Sequence, residues 1–186
     1  WGGSLGGAIY STTLDASQQW AGGVVIAEDC MFLNNSADRF GGALYCLGGM
    51  VLIRNSVFLG NRCGKGGACY LLYATSVMER TTICSNVAID WEGRDGHGGG
   101  LYIDAGRATL DRLRILGNIA GGSRGSWGPG QPRWQAGTGE GGGIYSTGEL
   151  TVHESQFSGN QAIGGSGHLA NEGEGGGFYN LGTAVF

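Results

Sequence analysis

Charged side chains recur at fixed distances from a repeated apolar residue in this 186-residue chain. Four positions before that residue stand Glu28, Arg54, Glu79, Asp111 and His153, and three positions before it stand Asp29, Asn55, Arg80, Arg112 and Glu154. Carboxylates converging on a groove could hydrolyse or eliminate across a glycosidic bond by general acid and base. Glu79 and Asp111, flanked by Arg80 and Arg112, are the candidates for that work, with a polysaccharide lyase or hydrolase as the rival reading of the chain. The alternation of sign favours a plainer reading. Arg54 lies between Glu28 and Glu79 in the repeat, as a cross-strand salt-bridge ladder requires, and no catalytic residue is assigned.

Other reactive side chains give weaker signals. Cys30, Cys46, Cys63, Cys69 and Cys84 form no CxxC pair and lie far from the three histidines, so the spacing predicts no metal site and no cofactor. Cys69 shares a slot with Ile9 and Leu44 and reads as a small buried hydrophobe, whereas Cys30, Cys46, Cys63 and Cys84 allow up to two disulfides in three connectivities. His97 and His168 have no nucleophile at a telling spacing and read as surface residues. The glycine-rich stretch 121–130 lacks the Gly-Lys-Ser/Thr ending of a phosphate loop. A net charge of −4, with eleven basic residues spread along the chain, argues against nucleic acid. No apolar run reaches the length of a membrane-spanning helix.

The elements that must position these residues come from a repeat. Gly6-Gly7-Ala8-Ile9-Tyr10 returns as Gly41-Gly42-Ala43-Leu44-Tyr45, Gly66-Gly67-Ala68-Cys69-Tyr70, Gly98-Gly99-Gly100-Leu101-Tyr102, Gly141-Gly142-Gly143-Ile144-Tyr145 and Gly175-Gly176-Gly177-Phe178-Tyr179. Between these phrases an apolar residue is followed three positions later by Asn: Phe32 and Asn35, Phe58 and Asn61, Ile83 and Asn86, Ile115 and Asn118, Phe157 and Asn160. Residues seven and five positions upstream of that apolar residue alternate as one buried strand face does, for example Val51 and Ile53 or Leu150 and Val152. No 3.6-residue periodicity appears. The pattern predicts an all-β, right-handed parallel β-helix over residues 1–186, a single domain of about six rungs with three short strands each. Asn35, Asn61, Asn86, Asn118 and Asn160 should form a structural ladder that satisfies turn backbone.

GGAIY, GGALY and GGACY alternating with FLNN, FLGN and FSGN resemble the repeats of the polymorphic outer membrane protein family, whose signature pairs GGA[ILV] with FxxN. The resemblance implies a right-handed β-helical passenger displayed on a cell surface, adhesive in character and without catalytic residues to carry over.

The rungs also carry unequal insertions. Long lateral loops are expected at 87–97, 119–140 and 161–174, leaving one corner of three consecutive rungs, and Trp91, Trp127 and Trp134 fall within them as interface candidates for protein or glycan. Tyr45, Tyr70, Tyr102 and Tyr145 alternate with the inward slot, so they should face outward or line a sheet edge, and they are further binding candidates. Asn34-Asn35-Ser36 makes Asn34 a glycosylation candidate. The sequence thus predicts a non-enzymatic extracellular or cell-surface structural or adhesive module. Its expected partners are copies of itself or other parts of a longer parent protein, and possible glycans, with no nucleic acid.

Overall fold

The computed structural model describes residues 4–12, 23–90, 94–124, 136–166 and 172–186. Every strand pairing within it is parallel, as in a coil whose successive turns lie directly over one another. Two sheets have six strands. One stacks Ile9–Thr12, Leu44–Leu47, Cys69–Leu72, Leu101–Asp104, Ile144–Ser146 and Phe178–Asn180; the other stacks Val24–Glu28, Met50–Arg54, Thr75–Glu79, Arg107–Asp111, Glu149–His153 and Thr183–Val185. A five-stranded sheet carries the apolar residue of each FxxN phrase, from Met31–Leu33 to Gln156–Ser158. The chain is a parallel β-helix of about six rungs.

Two smaller sheets join the three that the alternation reveals. One contains Arg62–Cys63, Val87–Ile89, Ile119–Gly121 and Gln161–Ile163, and the other contains Gly96–His97, Gly139–Glu140 and Gly173–Glu174. Two- and three-residue strands are too short to display a period, so only their pairing exposes them. They also trim the insertions: both ends of 87–97, 119–140 and 161–174 belong to the coil.

Inside the coil, like residues stack in register. Leu44, Cys69, Leu101 and Ile144 pair along one sheet, and Phe32, Phe58, Ile83, Ile115 and Phe157 along another. They belong to one continuous apolar cluster, so burial rather than local propensity holds the strands. The Gly-Gly phrase makes the tight corner. At Gly98 φ is +63°, and a Cβ there would lie 2.2 Å from the Leu101 carbonyl oxygen, which excludes any other residue.

A column of amides runs through the core beside the FxxN strands. The Asn86 Nδ2 donates to the Phe58 carbonyl at 3.0 Å and to Asn118 Oδ1 at 2.9 Å, while its Oδ1 accepts from the backbone N and the Nδ2 of Asn61, both at 2.9 Å. Asn61 and Asn118 repeat the pattern with their neighbours, and the column reaches Asn35 and Asn160 at its ends. Each central amide is therefore fully satisfied although it is wholly buried.

Two predictions follow from this packing. Replacing Asn86 with Ala leaves the buried Asn61 N–H without its acceptor, at about 1–3 kcal/mol for that orphan, and removes the Nδ2 bonds to the Phe58 carbonyl and to Asn118; urea unfolding should show a loss of about 2–4 kcal/mol, against a smaller loss for Asn35→Ala at the half-buried end of the column. Leu101→Asp and Tyr102→Asp should both unfold the surrounding rungs, because Leu101 is 0% and Tyr102 only 7% exposed. Circular dichroism melts of the two variants check the second point.

Candidate functional site

The tyrosine column is not open to solvent. Tyr45, Tyr70, Tyr102 and Tyr145 lie outside the inner core, as alternation requires, yet they form a second buried cluster with Leu5, Phe40, Leu47, Leu72 and Tyr179. Tyr10, at 52% exposed, opens one end. Ring centroids along the column are 4.6–5.6 Å apart. Phe40 covers Tyr70 at 4.7 Å, and His97 lies over Tyr102 at 5.8 Å and edge-on to Tyr145 at 4.6 Å. With their faces occupied, these tyrosines have no surface on which a sugar could stack, and the binding role expected for Tyr45, Tyr70, Tyr102 and Tyr145 is withdrawn. The signal that sequence reading missed is the residue before each Gly-Gly: Leu5, Phe40, Lys65, His97, Glu140 and Glu174. Bridges and the three-stranded sheet hold these positions in one row above the tyrosines.

Beneath and within the middle of that row, ionisable groups come together with little exposure to water. Tyr70 donates its hydroxyl to Asp104 Oδ2 at 2.7 Å, and Thr147 donates to the other oxygen of Asp104 at 3.0 Å. Burial, and then that bond to Asp104, holds the Tyr70 phenol far above its ordinary range. His97 is 8% exposed rather than a surface residue, because the pairing of Gly96–His97 with Gly139–Glu140 presses its ring onto the tyrosines. Its Nδ1 comes within 3.1 Å of Glu140 Oε2, but no N–H aligns with the oxygen and Nδ1 has no hydrogen bond. Burial, reinforced by Lys65, lowers the His97 pKa to about 4 against the opposing pull of Asp95 and Asp104. Burial also raises the carboxyl of Glu140. Among the described residues no group of three or more His, Cys, Asp or Glu could hold a metal ion.

The outward carboxylates that could have formed a catalytic groove are engaged in pairs. Arg54 reaches Glu28 and Glu79, each at 3.1 Å. Arg112 bonds Asp111 at 2.9 Å, with Glu154 at 3.9 Å on its other side. Arg80 turns to Asn55 Oδ1 at 2.9 Å. Asp29, Asn55, Arg80, Arg112 and Glu154 all hold φ between 44° and 54°, so the second charged column forms a left-handed corner in five rungs. Non-glycine residues in that region cost about 1–2 kcal/mol each.

The other candidates are placed as follows. All five cysteines are free thiols, contrary to the disulfides considered for Cys30, Cys46, Cys63 and Cys84. Each has its own partner or slot: Cys46 Sγ bonds the Gly48 carbonyl, Cys63 Sγ the Lys65 carbonyl and Cys30 Sγ the Glu28 carbonyl, while Cys84 Sγ approaches the Ser85 hydroxyl. Burial pushes the Cys63 thiol up to about 12 and that of Cys69 well above its ordinary value, which leaves both inert as nucleophiles. Asn34 is exposed at a corner with φ of 52°. Trp91, Trp127, Trp134 and His168 lie outside the described residues.

The buried histidine generates a pH prediction. With a folded pKa near 4 against an unfolded value of about 6.5, His97 contributes stability that is fully present above pH 6.5 and is lost as pH falls toward 4. Glu140 opposes this, since its raised pKa makes the native state take up a proton first as the solution is acidified. Between pH 7 and 5.5 the histidine should dominate, so urea midpoints should fall across that interval, and His97→Phe should flatten the slope.

Neither a curated protein nor a solved structure matches the chain. Residues 29–47 and 55–71, each running from an FxxN phrase through the following Gly-Gly-Ala phrase, match the family model of the Chlamydia polymorphic membrane protein repeat. Two stretches in the early rungs of the coil are thus similar to repeats of the polymorphic membrane protein type.

Proposed function

We propose that this chain is a non-enzymatic surface module, a β-helical stalk that presents lateral loops to a protein or glycan outside the cell. One observation carries the reading. Val87–Ile89, Ile119–Gly121 and Gln161–Ile163 pair in register where the three insertions leave the coil, and Gly96–His97, Gly139–Glu140 and Gly173–Glu174 pair in register where they return. Their bases are thus neighbours on consecutive rungs, fixed by a buried scaffold, and loops so placed are the usual carriers of recognition on a repeat protein. The repeat family supports display at a surface, and the insertions bring Trp91, Trp127 and Trp134 to this stretch of chain. Aromatic side chains of that kind dominate binding energy where they become desolvated.

The arginine partners of Glu28, Glu79 and Asp111 favour this reading over a carbohydrate-active enzyme, because each pair neutralises a carboxylate that acid–base chemistry would need.

Beads coated with the chain should adhere to cultured epithelial cells, and changing Trp91, Trp127 and Trp134 together to Ser should reduce adhesion at least tenfold, a loss of about 1.4 kcal/mol or more, with an unchanged circular dichroism spectrum. Undiminished adhesion of the triple variant would sink the loop assignment. Turnover of an acidic polysaccharide that is abolished by Glu79→Gln or Asp111→Asn would overturn the non-enzymatic reading.

A further inference from the structure

The outer faces of two adjacent sheets change character along the coil. In the first two rungs Val24, Ile26, Met31, Leu33, Met50 and Leu59 point outward and are 39–66% exposed. In the fifth rung the same columns hold Glu149, Thr151, Gln156 and Ser158. The apolar residues stack in register as Val24 on Met50 and Leu33 on Leu59, with half-buried Leu52 and Val57 beside them, so they form two adjoining apolar strips on either side of the Asp29–Asn55 corner. Contiguous apolar surface of this kind marks an interaction site, whereas singly scattered hydrophobics need no explanation.

The charges beside this surface restrict what can cover it. Glu28, Arg54 and Glu79 bond one another along the coil axis, so Arg54, the cation of this row, is already paired within the chain. A β face with residues at strand spacing is complemented by another such face, and a second copy of the same face can also match the charges. Consider a two-fold axis parallel to the strands and midway between the first and second rungs. It sets each column against itself with the rungs reversed, so Ile26 of one copy meets Leu52 of the other and Arg54 of each meets Glu28 of the other. A two-fold axis along the coil would instead set Arg54 on Arg54 and Glu28 on Glu28, which like-charge repulsion disfavours.

We propose that this face is a self-association surface, on which two copies pack with antiparallel coil axes through Val24, Ile26, Met31, Met50 and the reciprocal Arg54–Glu28 contacts. This inference stands apart from the lateral-loop reading, since the face lies on different sheets from those that bound the insertions. Two rungs of two sheets on each copy put the contact among small, transient interfaces, below about 1,200 Å², so the dimer is weak and reversible.

Sedimentation velocity over a rising micromolar concentration series should show a monomer–dimer equilibrium. Ile26→Lys together with Met31→Lys should leave only monomer with an unchanged circular dichroism spectrum. Arg54→Glu should weaken the dimer at least tenfold, and adding Glu28→Arg to it should restore association. A chain that remains monomeric throughout overturns the proposal, and co-flotation of that monomer with phosphatidylcholine vesicles would assign the face to lipid. A dimer that survives Ile26→Lys with Met31→Lys, or an Arg54→Glu defect that Glu28→Arg does not rescue, overturns it as well.

Discussion

A buried column of asparagine amides sets the register on which the rest of the molecule depends. Parallel strands stacked by apolar contacts alone could slide by two residues and still keep apolar groups inside, because hydrophobic burial is non-directional. The amide column removes that freedom. Asn86 accepts two bonds from Asn61 in the rung before, gives two to Asn118 in the rung after, and ties back to the Phe58 carbonyl. A slip of any rung would strand these groups in an apolar interior, where an unmet hydrogen bond is costly. With the register pinned, Leu101 falls on Cys69 and Ile144, and Arg54 falls between Glu28 and Glu79.

From that register two layers emerge. The inner layer is the apolar cluster of the coil. The outer layer is the tyrosine column, roofed by the residues that precede each Gly-Gly. The roof changes along the axis from Leu5 and Phe40 through Lys65 and His97 to Glu140 and Glu174. The same backbone position thus serves as hydrophobic cover at one end and carries polar groups, from buried His97 to exposed Glu174, toward the other. Outside both layers, surface character differs from face to face: apolar on the early rungs of two sheets, and bearing long insertions where Val87–Ile89, Ile119–Gly121 and Gln161–Ile163 leave the stack. A rigid coil with separately variable faces is a physical basis for presenting contacts.

The parts of this arrangement that were legible in the sequence are those where geometry demands one residue type. Gly98 and its equivalents need a backbone without Cβ, the amide column needs Asn, and the inward slot at Leu101 needs an apolar group, so each repeats recognisably. What could not be read depends on position rather than type. Asp29, Asn55, Arg80, Arg112 and Glu154 share one left-handed corner but no chemistry. The roof over the tyrosines mixes apolar, basic and acidic residues, which is why Tyr102 read as outward-facing and His97 as a surface residue although both are buried. The shortest strands, such as Gly139–Glu140, contain too few residues for any alternation.

The most direct test of the central claim is hydrogen exchange at the side-chain amides, followed by NMR. If the amide column sets the register, the Nδ2 protons of Asn61, Asn86 and Asn118 should exchange only with opening of the coil, at rates comparable to those of backbone amides in the Ile83 and Ile115 strands. Exchange of those protons at the rate of exposed asparagine, while the backbone of the same strands stays protected, would contradict the account.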